Sequence, residues 1–285
     1  MKTQKTVTLF VQCLVDGIYP EVAEAMVAIF RKLGVELTCP TRQTCCGQPA
    51  FNSGYQGEAR AAARRFIDIF ESAEAIVCPS GSCVTMVRHH YAQLFAGDAA
   101  WLPRVQRVAA KTLELSEYLV DVLGVEDLGA QFNGVATYHD SCHLLRNLRI
   151  ERQPRALLRK ISGLEFVEMH DSDRCCGFGG SFSFKYADIS AAMAEDKVNN
   201  IIDSGAEIVV GCDMGCLMNI QGMLNRMGSS IRTMHIAQIL ANWCRLSFCE
   251  NLLRVAGCAL RVLNCRTTDP QPVTRNPQPG TRIHE

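Results

Sequence analysis

The chain has 285 residues, 48% of them hydrophobic and 20% charged, which is enough to bury a core in one large or two medium domains. Its 29 basic and 29 acidic side chains cancel, which gives no support for nucleic-acid binding through net positive charge. No uncharged run reaches the ~20 residues of a membrane helix, and the first residues lack a signal-peptide cleavage site. We therefore expect a cytoplasmic protein, whose cysteines in a reducing compartment favour metal binding or redox chemistry over disulfides.

Hydrophobic periodicity predicts alternating strands and helices along the first half of the chain. Alternating apolar residues at 7–11 predict a strand, and an apolar face at 20–33 predicts a helix that Gly34 ends. Further strands are predicted at 35–38 and 75–77. Further helices are predicted at 58–70, from about residue 82, and at 105–123.

The second half repeats this order of elements. Strands are predicted at 135–139, 164–169, 207–210 and 231–234, and helices at 154–161, 187–203, after Cys216 and from His235. This alternation predicts an α/β fold with two pseudo-symmetric, Rossmann-like parallel-sheet domains from an internal duplication. We expect the first domain at 1–128, the second at 129–242, and a C-terminal helical and disordered tail at 243–285.

Ten of the fifteen cysteines form one five-cysteine pattern that occurs twice. The two sets are Cys13, Cys45, Cys46, Cys78 and Cys83, then Cys142, Cys175, Cys176, Cys212 and Cys216. Each set centres on a Cys-Cys-Gly triplet, and the intervals are 32, 1, 32 and 5 in the first and 33, 1, 36 and 4 in the second. Thiolates at fixed places in a repeated unit indicate a soft metal or an iron–sulfur centre.

Most of these cysteines follow the ends of predicted strands. Because ligands of parallel α/β folds gather at the carboxyl ends of strands, we expect five thiols at one edge in each half. The halves align best where residues 73–83 lie over 206–216, and there Cys83 coincides with Cys216. Cys78 and Cys212 fall one residue out of register, so the two sites are not interchangeable.

The spacing leaves several cofactors open. A single zinc ion takes four ligands, often from two Cys-x-x-Cys pairs, and this chain has no such pair. A [4Fe–4S] cubane often takes a C-x2-C-x2-C run, which is also missing. Five thiolates, two of them adjacent, suit an unusual cluster in which one sulfur bridges irons. A zinc-stabilised, non-catalytic scaffold remains an alternative.

The histidines and glycines near the cysteines have functional and ordinary structural interpretations. His139 and His143 flank Cys142 and could shuttle protons, since a histidine pKa lies near neutrality. A surface or capping role is the more ordinary interpretation for each, and no catalytic residue is assigned. His235, at a predicted helix start, is expected to be structural. Gly47 and Gly177 are expected to allow positive φ or close backbone approach, or to form ordinary turns.

Six segments carry a resemblance that covers about residues 5–242. They are CCGQPA at 45–50, NSGY at 52–55, PSGSC at 79–83, CCGFGG at 175–180, GCLMNI at 215–220 and MHIA at 234–237. The ordered set resembles the cysteine-rich CCG domain family. That family includes single subunits of heterodisulfide reductase, of glycolate oxidase and of anaerobic glycerol-3-phosphate dehydrogenase. The flanking motifs are most similar to those of its lactate utilization proteins.

The resemblance implies a cytoplasmic oxidoreductase subunit that takes part in oxidising L-lactate to pyruvate. It implies two [4Fe–4S] clusters, of the noncubane kind, with the ten repeated cysteines as ligands. It also implies companion lactate utilization subunits, one of them a ferredoxin-type iron–sulfur protein to which electrons pass, and leaves room for a small-molecule substrate. The heterodisulfide reductase relative implies an alternative, a subunit that reduces disulfides at its cluster.

Overall fold

The computed structural model describes residues 6–244, in which eight strands form two sheets. The first sheet contains β1 (Val7–Leu9), β2 (Leu37–Thr38), β3 (Ala75–Cys78) and β4 (Thr112–Glu114). The second contains β5 (Gln131–Tyr138), β6 (Ser162–Phe166), β7 (Ile208–Gly211) and β8 (Arg232–His235). Every pairing between these named strands is parallel, which confirms the predicted two-part α/β fold.

Helices connect the strands in both halves. In the first half they are Cys13–Gly17, Pro20–Lys32, Gln48–Asn52, Gln56–Phe70, Gly81–Thr85, Tyr91–Leu94, Leu102–Ala109 and Leu115–Glu117, with π-helical turns at Met86–His90 and Tyr118–Val122. In the second half they are Arg152–Leu158, Phe182–Lys185, Ala187–Asp203, Met214–Arg226 and Ile236–Leu240, with a π-helical turn at His143–Asn147 and a 3-10 turn at Asn242–Cys244.

The two sheets share one strand order, which shows the duplication in three dimensions. The orders are β2-β1-β3-β4 and β6-β5-β7-β8. Val7 lies opposite Ala75 in the first sheet, and Ala136 lies opposite Ile208 in the second. β3 and β7 coincide when residues 73–83 are laid over 206–216, so that alignment is confirmed for these strands.

The helix Pro20–Lys32 shows how local sequence sets an element. Proline stands in its first turn, where the missing N–H costs no intrahelical hydrogen bond. Met26, Ile29 and Phe30 are fully buried on one face. Arg31 and Lys32 lie in the last turn, where positive charge is favourable beside the unpaired carbonyls.

The predicted helix at 105–123 is wrong, because it contains a strand. The helix Leu102–Ala109 ends early, and β4 then pairs with β3 at the edge of the first sheet. Thr112 and Glu114 are buried there. The apolar residues on both sides of β4 have helical spacing, which predicts one continuous helix. Pairing with β3 outweighs this local preference and makes the three residues a strand. The segment between Cys176 and the helix Ala187–Asp203 contains a short helix, Phe182–Lys185, that the periodicity did not predict.

The two halves share one hydrophobic core. Phe30 and Tyr118 from the first half belong to the same buried cluster as Tyr138, Leu144 and Ile239 from the second. Two smaller clusters lie outside it, one in each half. This shared core fixes the carboxyl ends of the two sheets relative to each other, which is what positions the cysteines.

The division at 1–128 and 129–242 stays a prediction. Most of the C-terminal tail at 243–285 lies outside the described residues. Within 6–244, no helix combines the length and the apolar character needed to span a bilayer.

Candidate metal centre

Four cysteines of the first set are held by elements that follow the strands of the first sheet. Cys13 begins the helix Cys13–Gly17 after β1, and Cys45 and Cys46 follow β2. Ser80 caps the helix Gly81–Thr85 by accepting a hydrogen bond from the Cys83 backbone N–H. The Sγ atoms of Cys13 and Cys45 lie 3.9 Å apart, and those of Cys46 and Cys83 lie 3.4 Å apart.

The second half repeats this arrangement with one substitution at the helix cap. Asp213 takes the place of Ser80 and accepts from the Gly215 backbone N–H at 3.2 Å. Cys216 lies in the first turn of the helix Met214–Arg226 that this cap begins. Asn219 from the same helix donates to the Cys176 carbonyl at 2.7 Å, which fixes the second cysteine of the triplet.

The glycine of each triplet is required by backbone geometry. Gly47 has φ +89° and Gly177 has φ +82°, in the left-handed region. A Cβ on Gly47 would lie 3.2 Å from the Ala59 carbonyl oxygen, and a Cβ on Gly177 only 2.6 Å from that of Ser190. Each glycine N–H donates to the sulfur two residues earlier at 3.4 Å. Positive φ is therefore confirmed at both glycines, and the close approach that the structure shows is to a following helix.

The first cysteine of each triplet has a lowered pKa, which favours its thiolate form. Hydrogen bonds from the thiols of Cys13 and Cys46 lower the pKa of Cys45 to about 3. The equivalent bonds from Cys142 and Cys176 lower the pKa of Cys175 to about 2. The thiolate is the form that binds metals.

Both cysteine sets face one cavity of about 180 Å³ between the halves. The cysteines that line it are Cys13, Cys45, Cys46, Cys83, Cys142, Cys175, Cys176 and Cys216. Asp213 lines this cavity and joins the halves, accepting from the Ser82 backbone N–H at 3.0 Å and from the Ser80 hydroxyl at 3.2 Å. The sequence predicts an edge in each half but not that the two edges meet.

Cys78 and Cys212 are fully buried and do not line this cavity. Cys78 belongs to the same cluster as Cys45 and Cys83, and burial and a hydrogen bond to Cys83 raise its pKa. Cys212 lies in the core common to both halves, and its sulfur accepts from the Tyr138 hydroxyl at 3.3 Å. The assignment of five ligands in each half therefore stays a prediction, with four of each set at the cavity.

The histidines near Cys142 differ in their surroundings. His143 lines the cavity, with Nδ1 3.6 Å from the Cys142 sulfur and Nε2 3.4 Å from Gln48 Nε2 of the first half. His139 is 1% exposed, so a surface role is wrong for it. Burial lowers its pKa to about 3, which leaves the ring neutral. The structural role of His235 is confirmed, since its Nδ1 accepts from the Ala237 backbone N–H at a helix start.

The donor set fits a metal or iron–sulfur group. All ten repeated cysteines lie among the described residues and are free thiols, so none of them is consumed in a disulfide. Sulfur atoms from distant segments are gathered, and backbone N–H groups point at two of them. A ring nitrogen of His139 and the sulfurs of Cys176 and Cys216 also lie within 4.8 Å of one another. Sulfur-rich sets of this kind select soft metals and iron–sulfur clusters.

Known proteins resemble this chain in both halves. The family model described as "CCG: Cysteine-rich domain" matches residues 7–88 and 136–221, one match in each half. Lactate utilization protein A of Exiguobacterium sp. is 50% identical over 236 residues, which are 82% of this chain and 96% of that protein. The protein of the same name from Bacillus subtilis is 47% identical over 234 residues, 82% of this chain and 98% of that protein.

A crystal structure of a hypothetical protein from Helicobacter pylori has a similar fold. Its TM-score is 0.58 at 13% identity, and the match covers 83% of this chain and 48% of that one. This chain thus spans about half the length of that protein, and the likeness concerns the fold alone. The sequence relatives decide the family: the chain belongs to the cysteine-rich CCG domain family and, within it, to the lactate utilization protein A family.

Proposed function

We propose that the chain is the iron–sulfur redox subunit of a multi-subunit cytoplasmic system that oxidises L-lactate to pyruvate. One observation carries the redox assignment: two sets of free thiols face a single cavity. The substrate assignment is supported by relatives at 47–50% identity that are named for lactate utilization.

In this proposal each half holds one [4Fe–4S] cluster of the noncubane kind. The ligands are Cys13, Cys45, Cys46, Cys78 and Cys83 in the first half and Cys142, Cys175, Cys176, Cys212 and Cys216 in the second. A bound cluster supplies single-electron transfer. The N–H groups of Gly47 and Gly177 stabilise the negative charge on the Cys45 and Cys175 sulfurs, which tunes the reduction potential.

The cavity offers polar groups to a small acid as well as sulfur. His143 and Gln48 approach each other from opposite halves, and Asp213 and Ser82 also line the cavity. A hydroxy acid bound there would be within reach of both centres. Of these, His143, Gln48 and Ser82 would bind and orient it, and no catalytic residue is assigned among them.

Electron balance requires a partner. Oxidation of L-lactate to pyruvate breaks one C–H and one O–H bond and releases two electrons and two protons. The electrons need an acceptor, and this sequence has no ferredoxin-type C-x2-C-x2-C run of its own. A companion lactate utilization protein with ferredoxin-type clusters fills that role in the proposal.

Disulfide reduction is the second candidate, and the shared cavity favours it. A disulfide substrate that entered between the halves would meet both cysteine sets, and its S–S bond needs two electrons for cleavage. We expect this activity to change the EPR signal of the oxidised protein when the disulfide is added. L-Lactate added with the companion proteins would leave that signal unchanged if disulfide reduction were the function.

Deletion of the gene tests the lactate assignment directly. We expect the deletion strain to lose growth on L-lactate and to keep growth on pyruvate. The wild-type gene should restore growth, whereas a gene with Cys45→Ser and Cys175→Ser should not. Normal growth of the deletion strain on L-lactate would remove lactate as the substrate.

A further inference from the structure

One position in each half is structurally equivalent but carries different chemistry. The Phe10 N–H donates to the Val77 carbonyl just after β1, and the His139 N–H donates to the Val210 carbonyl just after β5, each at 2.9 Å. Three residues later each half places its first cysteine, Cys13 or Cys142. Phe10 is packed edge-on against two other phenyl rings, so its position in the first half is purely apolar.

The imidazole ring of His139 has no hydrogen-bond partner within the described residues. His139 is only 1% exposed, and both of its ring nitrogens are buried without a hydrogen-bond partner in that part of the chain. An unpaired buried polar group has lost its hydrogen bonds to water without gaining new ones, so a native structure seldom tolerates one without a role. The neighbouring Asp140 carboxylate does not accept a hydrogen bond from the His139 ring, because both of its oxygens bind Arg155.

The sulfurs nearest to His139 belong to the second cysteine set. A ring nitrogen lies within 4.8 Å of the sulfurs of Cys176 and Cys216, and those two sulfurs lie within the same distance of each other. These three atoms surround a point where one soft metal ion would contact all of them. Imidazole and thiolate together are a common ligand set for iron and zinc.

The offset between Cys78 and Cys212 explains why a second donor type is needed. Cys78 hydrogen-bonds to Cys83 of its own set. Cys212 stands one residue later, at the alignment position of Pro79, and its sulfur contacts the Tyr138 hydroxyl in the common core. The first half therefore gathers five sulfurs, and the second gathers four sulfurs and an imidazole.

We propose that His139 is a ligand of the metal centre in the second half, together with Cys142, Cys175, Cys176 and Cys216. The inference rests on the proposed iron–sulfur function and revises its second ligand set at one position, with His139 in place of Cys212. The neutral imidazole replaces one thiolate and removes one negative charge from the centre. Histidine in place of cysteine raises the potential of iron–sulfur centres, so the second centre accepts electrons before the first.

Histidine labelling tests this without altering the protein. Holoprotein prepared anaerobically with [15N]histidine should show a strongly coupled histidine nitrogen in pulsed EPR of the reduced centre. The His139→Phe variant, which copies the residue of the first half, should lose this coupling. His143→Phe is the matched control, since His143 lies beside the same centre, and it should keep the coupling.

Redox titration adds a second readout. His139→Cys should lower the potential of one centre only and bring it towards the other. Wild-type protein with full iron and sulfide but no coupled histidine nitrogen would overturn this inference and leave the proposed function standing. Protein that binds no iron would overturn both.

Discussion

The glycine of the second triplet gives a prediction whose size follows from the structure. In Gly177→Ala the new Cβ meets the Ser190 carbonyl oxygen at 2.6 Å and the Met193 Cβ at 3.1 Å. The Ser190 oxygen belongs to the helix Ala187–Asp203, which is packed into the fold and cannot move freely. Relief of the clash therefore requires a shift of the triplet or of this helix.

Two contributions add up in this variant. A non-glycine residue at φ +82° costs about 1–2 kcal/mol, and overpacking of a close contact costs about 1–3 kcal/mol. We expect Gly177→Ala to lower the free energy of unfolding by about 2–5 kcal/mol. Gly228→Ala isolates the first contribution, because Gly228 has φ +71° with nothing within 4 Å of its Cβ position. That control should lose only about 1–2 kcal/mol.

Urea unfolding followed by circular dichroism under anaerobic conditions measures both variants. Iron content measured on the same samples should fall in Gly177→Ala, since the shift moves the N–H that contacts Cys175. Iron should stay at the wild-type level in Gly228→Ala. Equal destabilisation of the two variants would refute the close approach at the triplet.

Three further predictions concern the second half and the two cysteine sets. Arg155→Leu leaves the buried Asp140 carboxylate without its ion-pair partner, and urea unfolding should show a loss of about 3–5 kcal/mol. Burial lowers the pKa of Lys197 to about 8, below its ordinary value of 10.5. Between these two pH values the unfolded chain keeps a proton that the folded chain has lost, so the stability of the wild type relative to Lys197→Met should rise with pH, by up to about 3 kcal/mol. A stability difference between the two proteins that stays constant from pH 7 to 11 would contradict this. Cys45→Ser and Cys175→Ser should each remove about half of the bound iron, as measured by elemental analysis, and loss of all iron in either variant would contradict separate centres.

Sequence periodicity predicted the repeated strands because parallel strands buried on both faces leave a strong local signal. β3 and β7 are short apolar runs that end beside cysteines, and both were found within a residue or two. β4 was missed, since three residues between helical segments become a strand only by pairing with β3. Pairing of this kind depends on distant parts of the chain, which local patterns do not encode.

The sequence predicted which residues form the candidate site but not how the two halves bring them together. Spacing identified the cysteines and the required glycines, because both repeat in register with the strands. It could not show that the two sheet edges meet at one cavity, since that depends on the core shared by the halves. The burial of His139 was also missed. The one available signal was its alignment with the apolar Phe10, which indicates an interior position.

Iron and acid-labile sulfide per chain, measured with zinc on anaerobically purified protein, test the central claim most directly. We expect iron and sulfide in equal amounts, at the level that two [4Fe–4S] clusters require, and little zinc. Folded, colourless protein that contains zinc and no sulfide would contradict the account. It would leave a metal-stabilised scaffold as the function of the two cysteine sets.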